Sequence, residues 1–226
     1  MTIQKDRSSI AGRVIVADET YERLKALIMD HAIAPGSRIS IDGLSREFGV
    51  SQTPVRESLA RLESEGLAVK IPLRGYRATM LLSPEEFEDL FQFRRLIEPW
   101  AARQAAERVD DVTARSLLEE VQSITPPRQS NYEAYQALAS HDERFHDLVA
   151  TLSGSRQLRR ALERTHCHLH IFRLHWERSF GPQTLAEHRR IAKAIAQRLP
   201  EESEAAMVDH LEAGLHGRLM GVYDPD

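Results

Sequence analysis

The sequence predicts a mainly α protein in two parts: three N-terminal helices with a small hairpin, then an all-α bundle of six helices. Three observations lead there. Helical stripes give way to two short strand-like runs before residue 80, and no strand alternation returns after Ser83-Pro84. Histidine is also unevenly placed, with His31 alone in the first eighty residues and nine more beyond them. A length of 226 residues suits two modest domains. The expected division is an arm over 1–15, a first domain over 16–80 and a second over 84–222.

The first domain begins with a helix. Tyr21, Leu24, Leu27, Ile28 and His31 recur at helical spacing from about Asp18, and Pro35-Gly36 stops it. Ile39-Ser40-Ile41 reads as a short extended piece, and Asp42 to Phe48 as a second helix. Gly49 offers a tight turn and Ser51 an N-cap, with Pro54 in the first turn of a third helix, where its missing N–H costs little. Val55, Leu59 and Leu62 form the inner stripe of that helix, and Gly66 closes it. Leu67–Ile71 and Tyr76–Met80 are then two strands joined by Pro72-Leu73-Arg74-Gly75. The order describes a winged helix-turn-helix. Its third helix would lead into the major groove with Ser51, Gln52, Thr53 and Arg56, and the hairpin tip, Arg74-Gly75, would follow the phosphates or lean into a minor groove. The alternative on spacing alone is a small protein-binding domain with Arg56 in a surface ion pair.

Helices are expected over 84–108, 111–123, 130–152, 156–178, 182–198 and 201–220, separated mostly by Pro126-Pro127, Ser153-Gly154-Ser155, Gly181-Pro182 and Leu199-Pro200. Polar residues interrupt their inner stripes. Arg94 falls in the line of Phe87, Leu90, Ile97 and Ala101; Asp142 falls in the line of Leu138, Phe145, Val149 and Leu152, with His146 one turn on. His188 lies between Leu185 and Ile191, and His210 flanks Val208, Leu211, Leu215 and Leu219. Burying a carboxylate is costly, on the order of several kcal/mol, unless it is paired or bound to a cation. Three helices thus aim Asp142, His146, His188 and His210 at one interior, a suitable set for a divalent ion such as Zn²⁺, Ni²⁺ or Mn²⁺, with zinc the leading candidate. A plain Asp142–His146 ion pair with two unrelated core histidines is the competing reading. Of the histidines crowded between 166 and 175, His168 and His175 lie mostly outside the apolar line of Leu158, Leu162, Leu169, Phe172 and Trp176; His166 and Arg173 sit on its edge and are candidates for lining a pocket.

Composition narrows the function. Hydrophobic residues at 42% and charged residues at 28% exclude wholesale disorder. No apolar run approaches the ~18 residues of a membrane span, and the first stretch lacks the apolar centre of a secretory signal. The lone Cys167 fits a reducing compartment, so a cytoplasmic protein is expected, with no membrane partner. Residues 1–80 hold 12 Lys/Arg against 10 Asp/Glu and the remainder 18 against 24, a surplus too weak to announce DNA binding by charge alone.

The run LSREFGVSQTPVRESLARLESEGLAVKIPLRGYRA resembles the DNA-binding segment of the GntR family of bacterial transcription regulators, over about residues 18–80. The resemblance places Ser51, Gln52, Thr53 and Arg56 on DNA and Gly75 at the wing tip, with Gln52 standing where the family usually has arginine. HDERFHDLVA, AEHRRIAKAI and DHLEAGL are similar to the FCD effector domain of one branch of that family, in which an Asp-x3-His pair and two later histidines hold a metal; these fall on Asp142, His146, His188 and His210. RRLIEPWAA resembles the domain's arginine motif and implies that Arg94 meets an acidic effector. Six helices rather than seven look like the VanR-type subgroup. The resemblance implies a homodimer on a palindromic operator, a small organic acid as effector, and repression relieved by ligand. Rival readings are a metal sensor, a helical scaffold and a metal-dependent hydrolase. The last lacks an obvious general base, so no enzyme is expected.

Overall fold

The computed structural model describes residues 3–124, 132–174 and 181–215, and its chain divides into two compact units, 1–81 and 82–226. The expected break at Pro126-Pro127, together with His175, Trp176 and Leu219, lies outside the described residues.

In the first unit, α1 (Ile3–Met29) packs on α3 (Gln52–Ser64), with α2 (Ile41–Phe48) beside α3. Tyr21, Leu24, Ile28, Leu44, Val55, Leu59 and Leu62 are buried between them. Residues 1–15, expected as an arm, are instead helical from Ile3. That stretch contains no proline and a single glycine, so nothing in it stops a helix propagating back from the packed turns at Tyr21 and Leu24. His31 does not continue the helix; it sits beyond α1 with φ 63°.

The extended piece near Ile39 is a strand, β1 (Arg38–Ile39), and makes the hairpin a three-stranded sheet. β2 (Ala68–Ile71) and β3 (Gly75–Ala78) pair antiparallel, and β1 adds to the far side of β3 with Ile39 opposite Tyr76. Ile39, Tyr76 and Ala78 turn inward, so pairing and apolar burial fix the same register. Ser40 then caps α2 by accepting from the Gly43 N–H at 3.1 Å. At the other end Gly49 adopts φ 69°, a left-handed cap that glycine enters without Cβ strain and that turns the chain into α3.

The second unit contains seven helices among the described residues: α4 (Pro84–Arg108), α5 (Asp111–Gln122), α6 (Tyr132–Leu152), α7 (Arg156–Thr165), α8 (Cys167–Leu174), α9 (Gly181–Ala196) and α10 (Pro200–Glu212). Periodicity predicts six. The single helix expected over 156–178 is broken at His166, which takes φ 44° and ends α7. The helix count that resembled the VanR-type subgroup therefore does not hold. α4 packs along α10, α6 and α9, while α5 lies against α9 and α6. Ser83 and Glu86 close a reciprocal capping box at the start of α4, where Pro84 occupies the first turn. The inner stripe of α10 runs Ser203, Ala206, Met207, His210 and Leu211. His210 is therefore on the buried face and not on its flank, and Val208 is displaced outward.

Candidate functional site

The four residues expected to hold an ion converge. Asp142 and His146 project from α6, His188 from α9 and His210 from α10, all buried, with one ligand atom from each lying within 4.8 Å of the others. The i, i+4 spacing sets Asp142 and His146 on one face of α6. Phe145, between them, stacks on the His188 ring at a centroid distance of 4.0 Å.

Each imidazole is held from behind. His146 Nδ1 bonds Glu98 on α4, and His210 Nδ1 bonds Glu187 at 2.8 Å. His188 Nδ1 meets His141 Nε2 at 3.0 Å, and His141 Nδ1 meets Glu120 at 3.0 Å. These partners fix ring orientation and turn the opposite nitrogens inward, as carboxylate–histidine pairs do around metals. His146 Nε2 lies 3.8 Å and His188 Nε2 3.5 Å from Asp142 Oδ1, too far for hydrogen bonds. His188 Nε2 is buried with no hydrogen-bond partner among the described residues, which an ion would remedy. Asp142 hydrogen-bonds His168 at 2.6 Å, whereas its 3.8 Å contact with His146 is within ion-pair reach and is one of several in the cluster. Three imidazoles and a carboxylate fit zinc by donor chemistry.

The electrostatics are consistent with that use. Burial holds the His146 imidazole down at about 4 despite Glu98 and Asp142. Burial, then repulsion from His210, pushes His188 well below the usual range. Both rings are therefore neutral near pH 7, as ligands must be. Burial opposes ionisation of Asp142, but His146, His168 and His188 hold it well below the usual carboxylate range. Burial likewise opposes a charge on His168, yet Cys167 and Asp142 hold it well above the ordinary value.

Arg94 is buried against this site. Its Nε donates to Glu98 Oε1 at 2.5 Å, and one Nη stands 3.3 Å from His146 Nε2. The guanidinium expected to meet an effector is thus already paired with a carboxylate on its own helix. Arg173 is buried on α8, where desolvation lowers it to about 10. His166 is half-buried at the α7–α8 junction.

Apolar stripes alone miss Glu98, His141, Glu187 and His168. Glu98 is signalled by its i, i+4 spacing from Arg94, and His141 and Glu187 by lying beside Asp142 and His188. His168 falls outside the apolar line only when that line is drawn through an unbroken helix; the break at His166 redirects it to Asp142.

On the first unit, Ser51, Gln52, Thr53 and Arg56 are exposed together at the start of α3. Ser51 occupies the N-cap position but makes no side-chain capping bond. Arg74 and Gly75 are exposed at the wing, with Leu73 protruding beside them at φ 62°.

Residues 16–77 match the family described as bacterial regulatory proteins, gntR family, and residues 89–213 match the FCD domain. The chain is 26% identical over 192 residues to the HTH-type transcriptional regulator YdhC of Bacillus subtilis, covering 84% of this chain and 85% of that one. It is 28% identical to the Nta operon transcriptional regulator of Aminobacter aminovorans, covering 82% and 86%, and 26% identical to the HTH-type transcriptional repressor RspR of Escherichia coli, covering 87% and 86%. A putative transcriptional regulator GntR from Rhodococcus sp. RHA1 shares the fold with TM-score 0.66 at 20% identity, over 92% of this chain and 99% of that one.

His188→Ala should abolish bound metal, measured by elemental analysis of purified protein, while His141→Phe should weaken metal affinity about 10–100-fold in a chelator competition. Metal retention unchanged in His188→Ala would refute the ligand assignment. In the chelated protein, His146 and His188 stay neutral in the fold but take up protons in the unfolded chain below about pH 6.5. The unfolded state then binds more protons, so stability should fall as pH drops from about 6.5 towards 4. Urea midpoints across that range test this; midpoints that rise on acidification would contradict it.

Proposed function

Because the chain belongs to the GntR family of bacterial regulatory proteins, with an FCD domain after its DNA-binding domain, we propose that it is a metal-dependent, ligand-responsive repressor. The chain is a transcriptional regulator and not an enzyme, so the buried site is a switch and not a centre of catalysis. The observation that carries the reading is the buried cluster of Asp142, His146, His188 and His210, with His188 Nε2 lacking a hydrogen-bond partner among the described residues and every ring oriented from behind. A divalent ion, zinc by preference over nickel or manganese, would be held by these four residues and would act as a Lewis acid for an anionic group.

The buried charge supports an acidic effector. Asp142 and Glu98 contribute two buried negative charges, and Arg94 and His168 two buried positive ones. A divalent cation would add two more positive charges to these four groups, which by themselves cancel. A small carboxylate is the natural compensation. Arg94 would turn an Nη from His146 to the carboxylate while keeping its bond to Glu98. Arg173 and His166 would line the remainder of the pocket.

The readout is the operator. Two copies of the chain in a homodimer would place two α3 helices in successive major grooves of a palindromic site, with Ser51, Gln52, Thr53 and Arg56 at base edges and Arg74 and Gly75 at the backbone. Ligand that prefers one dimer arrangement shifts the population and so changes operator affinity. The repressor named among the relatives supports repression as the mode of action; ligand would relieve it, and a cytoplasmic location accords with that role.

A thermal-shift series with small organic acids, run with and without chelator, tests this. A rise in Tm with an acid that needs the metal, and that Arg94→Ala removes without loss of metal, is expected. If no acid raises Tm while metal alone changes operator affinity, the ion is itself the signal and the carboxylate reading fails.

A further inference from the structure

Asp42 is an unexpected neighbour for a DNA-reading helix. It is exposed on α2, close to the start of α3, where a carboxylate repels the phosphate backbone. Its place is accounted for by the hydrogen bond it accepts from Gln52 Nε2 at 2.6 Å. Gln52 Oε1 in turn accepts from Arg56 Nη2 at 3.3 Å, across one turn of α3. The orientation of the amide is set by chemistry. A carboxylate only accepts and a guanidinium only donates, so the NH₂ of Gln52 faces Asp42 and its oxygen faces Arg56.

That arrangement changes which residue reads a base. A glutamine recognises adenine with both amide atoms, Nε2 donating to N7 and Oε1 accepting from N6. Here one N–H and one lone pair of the amide are engaged within the protein, which holds its two atoms towards Asp42 and Arg56. Arg56 retains further N–H donors, and its planar fork matches O6 and N7 of guanine.

We propose that Asp42 is a specificity-determining residue: through Gln52 it aims Arg56, so that α3 reads guanine with Arg56 and does not read adenine with Gln52. The inference rests on the placement of α3 in the major groove, and the test separates the two. The Gln52 position, where the family usually has arginine, becomes a link between two helices, and the carboxylate beside the DNA becomes its anchor.

The experiment uses the full chain with a randomised duplex library, followed by binding titrations on single-base variants of the enriched site. Asp42→Asn removes the charge but keeps an oxygen that accepts from Gln52. It should strengthen binding to all duplexes and keep the wild-type ranking of bases. Asp42→Ala releases the amide, and preference for guanine at one base pair of each half-site should fall about tenfold, with adenine gaining. If Asp42→Ala and Asp42→Asn strengthen all duplexes alike, Asp42 is only a repulsive charge and the inference is overturned. If Gln52→Ala keeps the wild-type ranking, the link through Gln52 is overturned. A wild-type chain that enriches no motif overturns the placement of α3 at base edges, and the inference with it.

Discussion

Asp142 and Glu98 sit in an interior that would normally keep carboxylates neutral, and each is ionised because cations are packed against it: His168 on Asp142, Arg94 on Glu98. This balance of buried charge is the constraint on which the second unit depends. Removing one partner would strand the other without water, so the four groups must be delivered to one place by separate helices. α4 brings Arg94 and Glu98 as an i, i+4 pair, α6 brings Asp142 and His146, and α8 brings His168. The helices are therefore locked by polar geometry as well as by the apolar contacts of Phe87, Phe145, Leu185 and Ile191.

The same constraint explains why α7 and α8 are two helices. A continuous helix would carry the His166–Leu174 segment onward along the α7 axis. The turn at His166 ends α7 after Thr165 and starts α8 in a new direction, burying Cys167, His168 and Arg173. His166 is itself half-buried, and the value of the residue lies in the conformation it adopts more than in its ring. Pro99 lies in the middle of α4, beside Glu98, and lacks the N–H that would have bonded the Arg95 carbonyl.

The first unit is organised differently. Its buried side chains are almost all apolar, and its polar chemistry lies on the surface, where hydrogen bonds such as Asp42–Gln52 orient side chains without large energies. The apolar interior packs α2 and α3 together, so that such modest contacts run between positioned neighbours. In the second unit polar groups shape the interior; in the first they shape the exposed face.

Much of this is legible in the sequence. The stripe of Val55, Leu59 and Leu62, the turn at Gly49 and the hairpin around Arg74-Gly75 give the order of a winged helix, and the run around Ser51–Arg56 gives its resemblance to a DNA-binding segment. Periodicity also turns Asp142, His146 and His188 inward, because a polar residue inside an apolar stripe has one direction to point. Side-chain spacing does not report how far a helix rotates or where it breaks. Spacing puts His210 on a flank, whereas the register of α10 depends on its packing against α4 and α9. Spacing also leaves His168 outside, because a left-handed turn at a histidine carries no strong residue signature. The partners behind the rings, Glu98, His141 and Glu187, come from three helices, and their meeting is a property of helix packing. Local pattern therefore determined the elements and the chemical types facing inward, whereas tertiary structure decided which atoms meet. Hydrogen-bond geometry is settled within a few tenths of an ångström, and a helical stripe, which advances about 100° per residue, does not resolve position that finely.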